Sequence, residues 1–296
     1  MGQWGSEASL PHCPIAPLPH CPTAPLPHCL ISFAPCPCYS PAVSVSAIVI
    51  TLNEAANIQA CLESVAWADE RLVVDCGSSD DTVAIATRCG ARVLTHAWLG
   101  YSAQKNWAAG EAAHDWIVSV DADERVTPEL AAEMRAALAA PGDRAGFRVP
   151  RVTFHLGRWI RCTDWYPDYQ LRLYDRRRAR WNGRKVHESV SADGPVGRLT
   201  SELQHFAYRD IAHHVDTINR YTTLAALHMR EQGRRTGIVE LLLHPPAAFL
   251  RNYVLRRGFS AGLPGLIIST MNSYYVFLKF AKLAAIQNTI APVPER

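Results

Sequence analysis

The sequence predicts an α/β fold, a mostly parallel sheet with helices on both faces joined to a mixed-sheet half. Three observations carry that expectation. Short apolar, β-branched runs recur over residues 45–52, 71–75, 91–95 and 116–120. Stretches of helical periodicity separate them, over 57–68, from Ser79 or Asp80 to Cys89, and over 101–110. Strand and helix therefore alternate, and the runs are too continuously apolar to have one wet face.

The first run fits a buried strand that stops at Asn53-Glu54. The second ends in Cys76-Gly77-Ser78-Ser79-Asp80-Asp81-Thr82, where Gly77 permits a tight turn and Ser79 or Asp80 can cap the next helix. The fourth ends in Val120-Asp121-Ala122-Asp123-Glu124, before a helix expected over 128–140. From Gly146 the texture changes to strand-like runs over 147–154 and 171–174. The segment 181–190 follows, with the turn Asn182-Gly183. A helix is expected over 211–232, with Ile211, Val215, Ile218 and Leu224 near one face.

Both ends of the chain differ from this middle. Residues 1–44 repeat Pro-His-Cys-Pro units, and proline at that density forbids helix or ladder, so a disordered extension is expected. A folded domain is expected over 45–235 and a helical, membrane-associated segment over 236–296. Residues 238–257 mix many apolar side chains with Arg251, Arg256 and Arg257, and 259–278 carry no charge before Lys279 and Lys282. Gly262, Pro264, Gly265 and Asn272 weaken a membrane span. Interfacial attachment fits better than a spanning hairpin or a packing helix.

Composition sets limits. At 296 residues and 48% hydrophobic, the chain can bury a sizeable core, and a net charge of +3 is too mild to indicate nucleic acid. Five of the nine cysteines lie in the first 44 residues; Cys61, Cys76, Cys89 and Cys162 have no Cys-x-x-Cys spacing, so zinc and redox motifs are unsupported. A reducing, cytoplasmic compartment fits these thiols best.

In a parallel sheet the polar strand ends Thr51/Asn53/Glu54, Asp75 and Asp121/Asp123 share one rim, where open α/β sheets bind ligands. The Asp-x-Asp pair suits a hard divalent cation that also holds phosphate oxygens. The alternative is that Asp123 or Thr127 merely caps the helix over 128–140. Carboxylates from several strands repel unless cations or ligand hydroxyls stand between them. A nucleotide-sugar brings both hydroxyls and a metal-binding diphosphate.

The stretches Val49-Ile50-Thr51-Leu52-Asn53-Glu54, Val73-Val74-Asp75-Cys76-Gly77-Ser78-Ser79-Asp80 and Val120-Asp121-Ala122-Asp123-Glu124 together resemble the signatures of family 2 glycosyltransferases. Gly100-Tyr101-Ser102-Ala103-Gln104-Lys105-Asn106, Pro167-Asp168-Tyr169-Gln170-Leu171-Arg172-Leu173 and Tyr274-Tyr275-Val276-Phe277 narrow it. They are similar to the bacterial branch of lipopolysaccharide-core β-glucosyltransferases. The resemblance, over about residues 45–285, implies a GT-A fold, a Rossmann-like nucleotide half joined to an acceptor half. It implies that Thr51, Asn53, Glu54, Asp75, Gly77, Ser78, Gln104, Lys105, Asp121 and Ala122 border the donor. Asp123, with Asp121, would bind Mg²⁺ or Mn²⁺. Glu124 would stand near the metal or carry charge in the first turn of the next helix.

Asp168 is the candidate general base, with Asp164 as runner-up, and Arg172 would hold donor phosphate or an anionic acceptor. Arg176-Arg177-Arg178 reads as a solvated turn. His187 would complete the metal shell or orient the acceptor with Glu188, unless it is structural; His213-His214 receives no metal. The implied function is inverting, metal-dependent transfer of a hexose, glucose in this branch. It would pass from a nucleotide-sugar, UDP-linked, to a lipid-linked or lipopolysaccharide-core acceptor. The enzyme would attach peripherally to the inner face of the cell membrane. Alternatives are a polyprenyl-phosphate glycosyltransferase and a non-catalytic nucleotide-sugar-binding protein.

Overall fold

The computed structural model describes residues 43–183 and 189–288. The expectations for residues 1–42 and for His187-Glu188 lie outside the described residues. The nucleotide-side half runs β1 (Val45–Thr51), α1 (Ile58–Ser64), β2 (Glu70–Asp75), α2 (Thr82–Arg88), β3 (Arg92–Thr95), α3 (Tyr101–Glu111), β4 (Trp116–Ser119), β5 (Glu124–Val126) and α4 (Pro128–Ala139). The second half adds β6 (Gly146–His155), β7 (Arg158–Ile160), β8 (Asp168–Asp175), β9 (Ala179–Trp181), β10 (Val190–Ala192), β11 (Val196–Arg198) and β12 (Leu203–His205). Three long helices close the chain: α5 (Ile211–Glu231), α6 (Ile238–Leu250) and α7 (Leu263–Asn288).

One sheet holds the order β3-β2-β1-β4-β8-β6-β12-β5, with β7 and β11 also paired to β6. The β3-β2-β1-β4 block is parallel throughout. The second half joins it through the antiparallel pair β4–β8, so the sheet is mixed, as expected. Strands β1, β2 and β4 are buried on both faces because alternate residues feed two cores, while β3 at the edge is only partly covered. Ala47, Val49, Val73 and Val118 pack with α1, α2 and α4 residues; Ile48, Leu72, Val74 and Ile117 pack with Ala108, Tyr174 and Trp181.

Two expectations about local structure need correcting. Glu124 does not lie in a helix; it opens β5, and Thr127 caps α4 by accepting from the Leu130 N–H at 3.2 Å. Asp123 is thereby free of any capping duty. Leu224 is exposed, and α5 instead buries His214, Ile218, Thr222, Ala226 and Met229. Thr222 is tolerated there because its hydroxyl donates to the Ile218 carbonyl at 2.8 Å.

The C-terminal part is not one continuous run. A π-helical turn, Arg251–Leu255, follows α6, and a short 3₁₀ turn, Gly258–Ala261, precedes α7. No helix among the described residues is long and apolar enough to cross a membrane. Helix α7 packs on α5 through Ala226, Met229, Phe280 and Leu283.

Candidate active site

Parallel pairing of β1 with β2 sets Thr51 beside Asp75 at the carboxyl rim. Thr51 Oγ1 and Ser78 Oγ donate to Asp75 Oδ1, at 3.1 and 2.5 Å. The Gly77 and Ser78 N–H groups donate to Oδ2 at 2.9 and 2.8 Å. Gly77 makes this turn at φ 98°, a conformation side chains rarely adopt. Burial alone would push the Asp75 carboxyl up, but these four donors hold it below the usual carboxylate range. A carboxylate offers about four lone-pair sites. Asp75 therefore organises the turn, and a base edge meets it only by displacing one of these donors.

The neighbouring loop is woven to the same turn. Asn53, in the left-handed region at φ 56°, donates its N–H to Ser78 Oγ at 2.8 Å and accepts from the Ser79 N–H at 2.8 Å. The Glu54 N–H donates to Thr82 Oγ1 at 2.8 Å, and its carboxylate accepts from Asn57 Nδ2 at 2.9 Å. Burial pushes the Glu54 carboxyl up, with Asn57 opposing.

Beneath this rim runs a chain of alternating charge. Lys105 Nζ, on α3 and 4.3 Å from the Trp181 ring centroid, meets Asp121 Oδ1 at 2.7 Å. Arg172 Nη2 donates to Asp121 Oδ2 and to Glu124 Oε1, both at 2.6 Å. Arg151 Nη1 meets Glu124 Oε1 at 3.1 Å, while its Nη2 meets Asp168 Oδ2 at 2.6 Å. The geometry follows from register, since Arg151 lies opposite Asp168 across β6 and β8. Protein cations thus answer the repulsion among the carboxylates. Burial would push the Asp121 carboxyl up, but Arg172 and Lys105 overcome it and hold it far below the usual range.

Asp123 stands outside that chain. Its carboxylate is 29% exposed and lies 3.3 Å from His205 Nε2. Pairing of β5 with β12 sets Glu124 opposite His205, and the Phe206 N–H donates to the Asp123 carbonyl at 2.8 Å. Burial pushes the Asp123 carboxyl up, yet the His205 imidazole brings it below its ordinary value. Among the described residues no group of three or more His, Cys, Asp or Glu is arranged for a metal. One carboxylate and one imidazole still fit a cation that takes its remaining ligands from diphosphate and water, as Mg²⁺ does in many phosphate sites.

Several expected contacts are corrected by this geometry. Arg172, expected at donor phosphate or acceptor, is 2% exposed and lies behind Asp121 and Glu124, so it acts through them. Gln104 is fully buried and donates to the His96 carbonyl at 3.3 Å, which places it behind the rim. Asp121, expected as a second metal ligand, has one oxygen on Lys105 and the other on Arg172. Ala122 is buried and offers its carbonyl to Arg125 Nη1 at 2.8 Å.

Asp164, the second candidate base, is bound by Arg251 and by Asn252 Nδ2, the latter at 3.0 Å, and so ties its loop to the C-terminal turn. Arg176 is no solvated turn residue; it donates to the Ala109 and Ala112 carbonyls, both at 2.7 Å, at the end of α3. His214 is buried and stacked on Tyr208. Sequence reasoning missed Arg151 and His205. Arg151 is a charge inside a strand, but the exposed Arg148 three residues earlier in β6 is another, so that signal alone does not single out Arg151. Leu203-Gln204-His205-Phe206 carries no comparable signal.

The Glycosyl transferase family 2 model matches residues 46–192. The chain is 32% identical to the lipopolysaccharide core biosynthesis glycosyltransferase LpsC of Rhizobium meliloti, over 82% of this chain and 93% of that protein. The chain belongs to the family 2 glycosyltransferases. An uncharacterized glycosyltransferase of Rickettsia felis is 31% identical over 81% of this chain and 89% of its own length. Among solved structures, Mycobacterium tuberculosis glucosyl-3-phosphoglycerate synthase, in complex with Mn²⁺, UDP and glucosyl-3-phosphoglycerate, overlaps 38% of this chain and 44% of its own, with 24% identity and a TM-score of 0.33. As a family 2 glycosyltransferase with a lipopolysaccharide-core relative, the chain is a nucleotide-sugar-dependent transferase, and its α/β fold is of the GT-A type.

Proposed function

We propose that this glycosyltransferase is inverting and metal-dependent, moving glucose from a UDP-sugar to a lipopolysaccharide-core acceptor. The observation that carries the reading is the Asp123–His205 pair at 3.3 Å, beside a carboxylate chain already neutralised by protein cations. Among the described residues of this rim, the pair sets a carboxylate and an imidazole face to face without a guanidinium or ammonium between them. Asp123 and His205 would hold a Mg²⁺ or Mn²⁺, which would supply charge neutralisation for the leaving diphosphate.

The chain's own residues do the rest. Thr51, Asn53 and Glu54, with the Gly77-Ser78 turn, border the base and ribose. Asp121, held at both oxygens, offers its exposed edge to donor hydroxyls. Asp168 accepts the proton of the acceptor hydroxyl as that oxygen bonds to the anomeric carbon and the bond to diphosphate breaks on the opposite face. Arg151 orients Asp168 and joins it to Glu124, coupling the acceptor side to the donor side. Asp168 is also bound by Gln170 Nε2 at 2.6 Å, which favours one second reading. If these bonds persist in turnover, the nucleophile is a phosphate such as polyprenyl phosphate, which needs no strong base.

Two measurements test the proposal. Calorimetric titration with UDP should show binding strengthened by Mn²⁺, and Asp123→Asn or His205→Asn should remove that dependence; UDP binding indifferent to metal would sink the pair's role. Asp168→Asn should lower kcat by about 10²–10⁴-fold with UDP affinity unchanged. Activity that survives the change supports the phosphate-acceptor reading instead.

A further inference from the structure

Helix α6 is amphipathic in the reverse sense, because its apolar stripe faces out. Val239, Leu243, Leu250 and Val254 recur at spacings of four, seven and four residues, which sets them near one helix face, and all are exposed. Pro245 and Ala248 face the protein instead. The stripe continues into the turns after the helix, where Leu255 is 77% and Leu263 is 68% exposed. A contiguous apolar surface of this kind on a folded protein marks an interaction site.

Charge identifies the partner. Between residues 241 and 287 there is no Asp or Glu, while Arg251, Arg256, Arg257, Lys279 and Lys282 all lie there. Arg251, Arg256 and Arg257 are exposed and border the apolar stripe. Glu240 lies in the first turn of α6, where it accepts from the Gly237 N–H, and Asp164 pairs with Arg251 and Arg256, but cations outnumber these two carboxylates. An apolar stripe with a cationic surplus matches an anionic lipid surface, where apolar side chains sink below the headgroups and guanidinium groups meet phosphate.

This surface is joined rigidly to the loop that leads into β8. The Thr163 N–H donates to the Arg256 carbonyl at 2.9 Å, and the Asp164 N–H to Asn252 Oδ1 at 2.8 Å. Asn252 Nδ2 donates in return to Asp164 Oδ2 at 3.0 Å, and Arg158 Nη1 donates to the Ala261 carbonyl at 2.8 Å. Asp168 follows four residues after Asp164. We propose that the outer face of α6 and the turns at 251–263 dock on an anionic phospholipid bilayer. Docking then holds the Asp164–Asp168 loop at the level of lipid headgroups. The docking surface stands without the transferase reading; its use in delivering a lipid-borne acceptor rests on that reading.

The test is flotation of the full chain with vesicles of phosphatidylcholine alone or mixed with phosphatidylglycerol. The protein should float with the anionic vesicles and much less with the neutral ones. Leu243→Glu/Leu250→Glu should abolish flotation while leaving Mn²⁺-dependent UDP binding intact. Failure of lipid docking is thereby separable from failure of the donor-site reading. Arg256→Gln/Arg257→Gln should weaken partitioning onto anionic vesicles about 30-fold. Absence of flotation with phosphatidylglycerol, or flotation that the leucine variant leaves unchanged, overturns the proposal. So does a stable dimer in light scattering that the leucine variant dissolves, since a second copy then covers the face.

Discussion

Replacing Arg172 by methionine removes the guanidinium at the centre of the charge chain and keeps a side chain of similar length. Two unit charges about 4 Å apart attract by about 4 kcal/mol at an effective dielectric near 20, and Arg172 has two such partners. Burying the guanidinium and its partners costs several kcal/mol per ion, which offsets most of that gain. Its Nε and Nη1 find no acceptor among the described residues, so the gain rests on Nη2. After truncation Glu124 stays fully buried with Arg151 as its remaining cation, and Asp121 keeps Lys105. Truncating one side of a buried pair costs about 3–5 kcal/mol, and Arg172→Met should lose that much in urea unfolding at pH 7. Adding Glu124→Gln removes the stranded charge, so the double variant should be about 1–3 kcal/mol more stable than the sum of the single losses implies. Strict additivity, or a loss below about 1 kcal/mol for Arg172→Met, would refute the view that this guanidinium holds the site together.

Two further predictions concern the rim and the sheet. Ser78→Ala removes a hydroxyl donor from Asp75 and should cost about 2 kcal/mol at neutral pH. Because the folded Asp75 value is depressed, its contribution is present above the unfolded value near about 3.9 and is lost as pH falls through the folded value. The gap between wild type and Ser78→Ala should therefore narrow on acidification below about pH 4, and a gap constant with pH contradicts the assignment. Gly146→Ala would bring a Cβ within 2.6 Å of the Leu173 carbonyl oxygen and 2.9 Å of Leu171 Cδ1, between β6 and β8. It should lower the thermal midpoint through an overpacking cost of about 1–3 kcal/mol.

The nucleotide-side half was legible because its signals are local. Each of β1 to β4 centres on a short apolar run, and each crossover helix has its own periodicity, so neighbouring residues were enough to set type and order. The same holds for Asp75, Gly77, Ser78, Asp121 and Asp123, which sit at strand ends that the alternation itself defines. Arg172 and Gln104 were seen as site residues, but their depth was not, because motifs do not say which side of a strand end is wet. Of the two readings of Glu124, the one that set it in the first turn of the next helix fails because Thr127 caps α4 and Glu124 opens β5. His205 was out of reach: it meets Asp123 only through the pairing of β12 with β5, and no local pattern specifies that partnership.

That pairing has a consequence for how the chain assembles. Strand β5 lies at the end of the sheet order and is hydrogen-bonded to β12 alone among the described strands. The family match ends at residue 192, before β12 begins. A fragment cut at that boundary would keep the three signatures at 49–54, 73–80 and 120–124 and lose the strand that holds Glu124–Val126 in place, together with His205. During synthesis the donor rim can close only after residue 205 has emerged and found a partner far back in the chain. Contacts of such long sequence separation are slow to form because the intervening chain must be ordered first. The stretch that the family model matches and the smallest unit able to form the Asp123–His205 pair are thus different lengths of polypeptide.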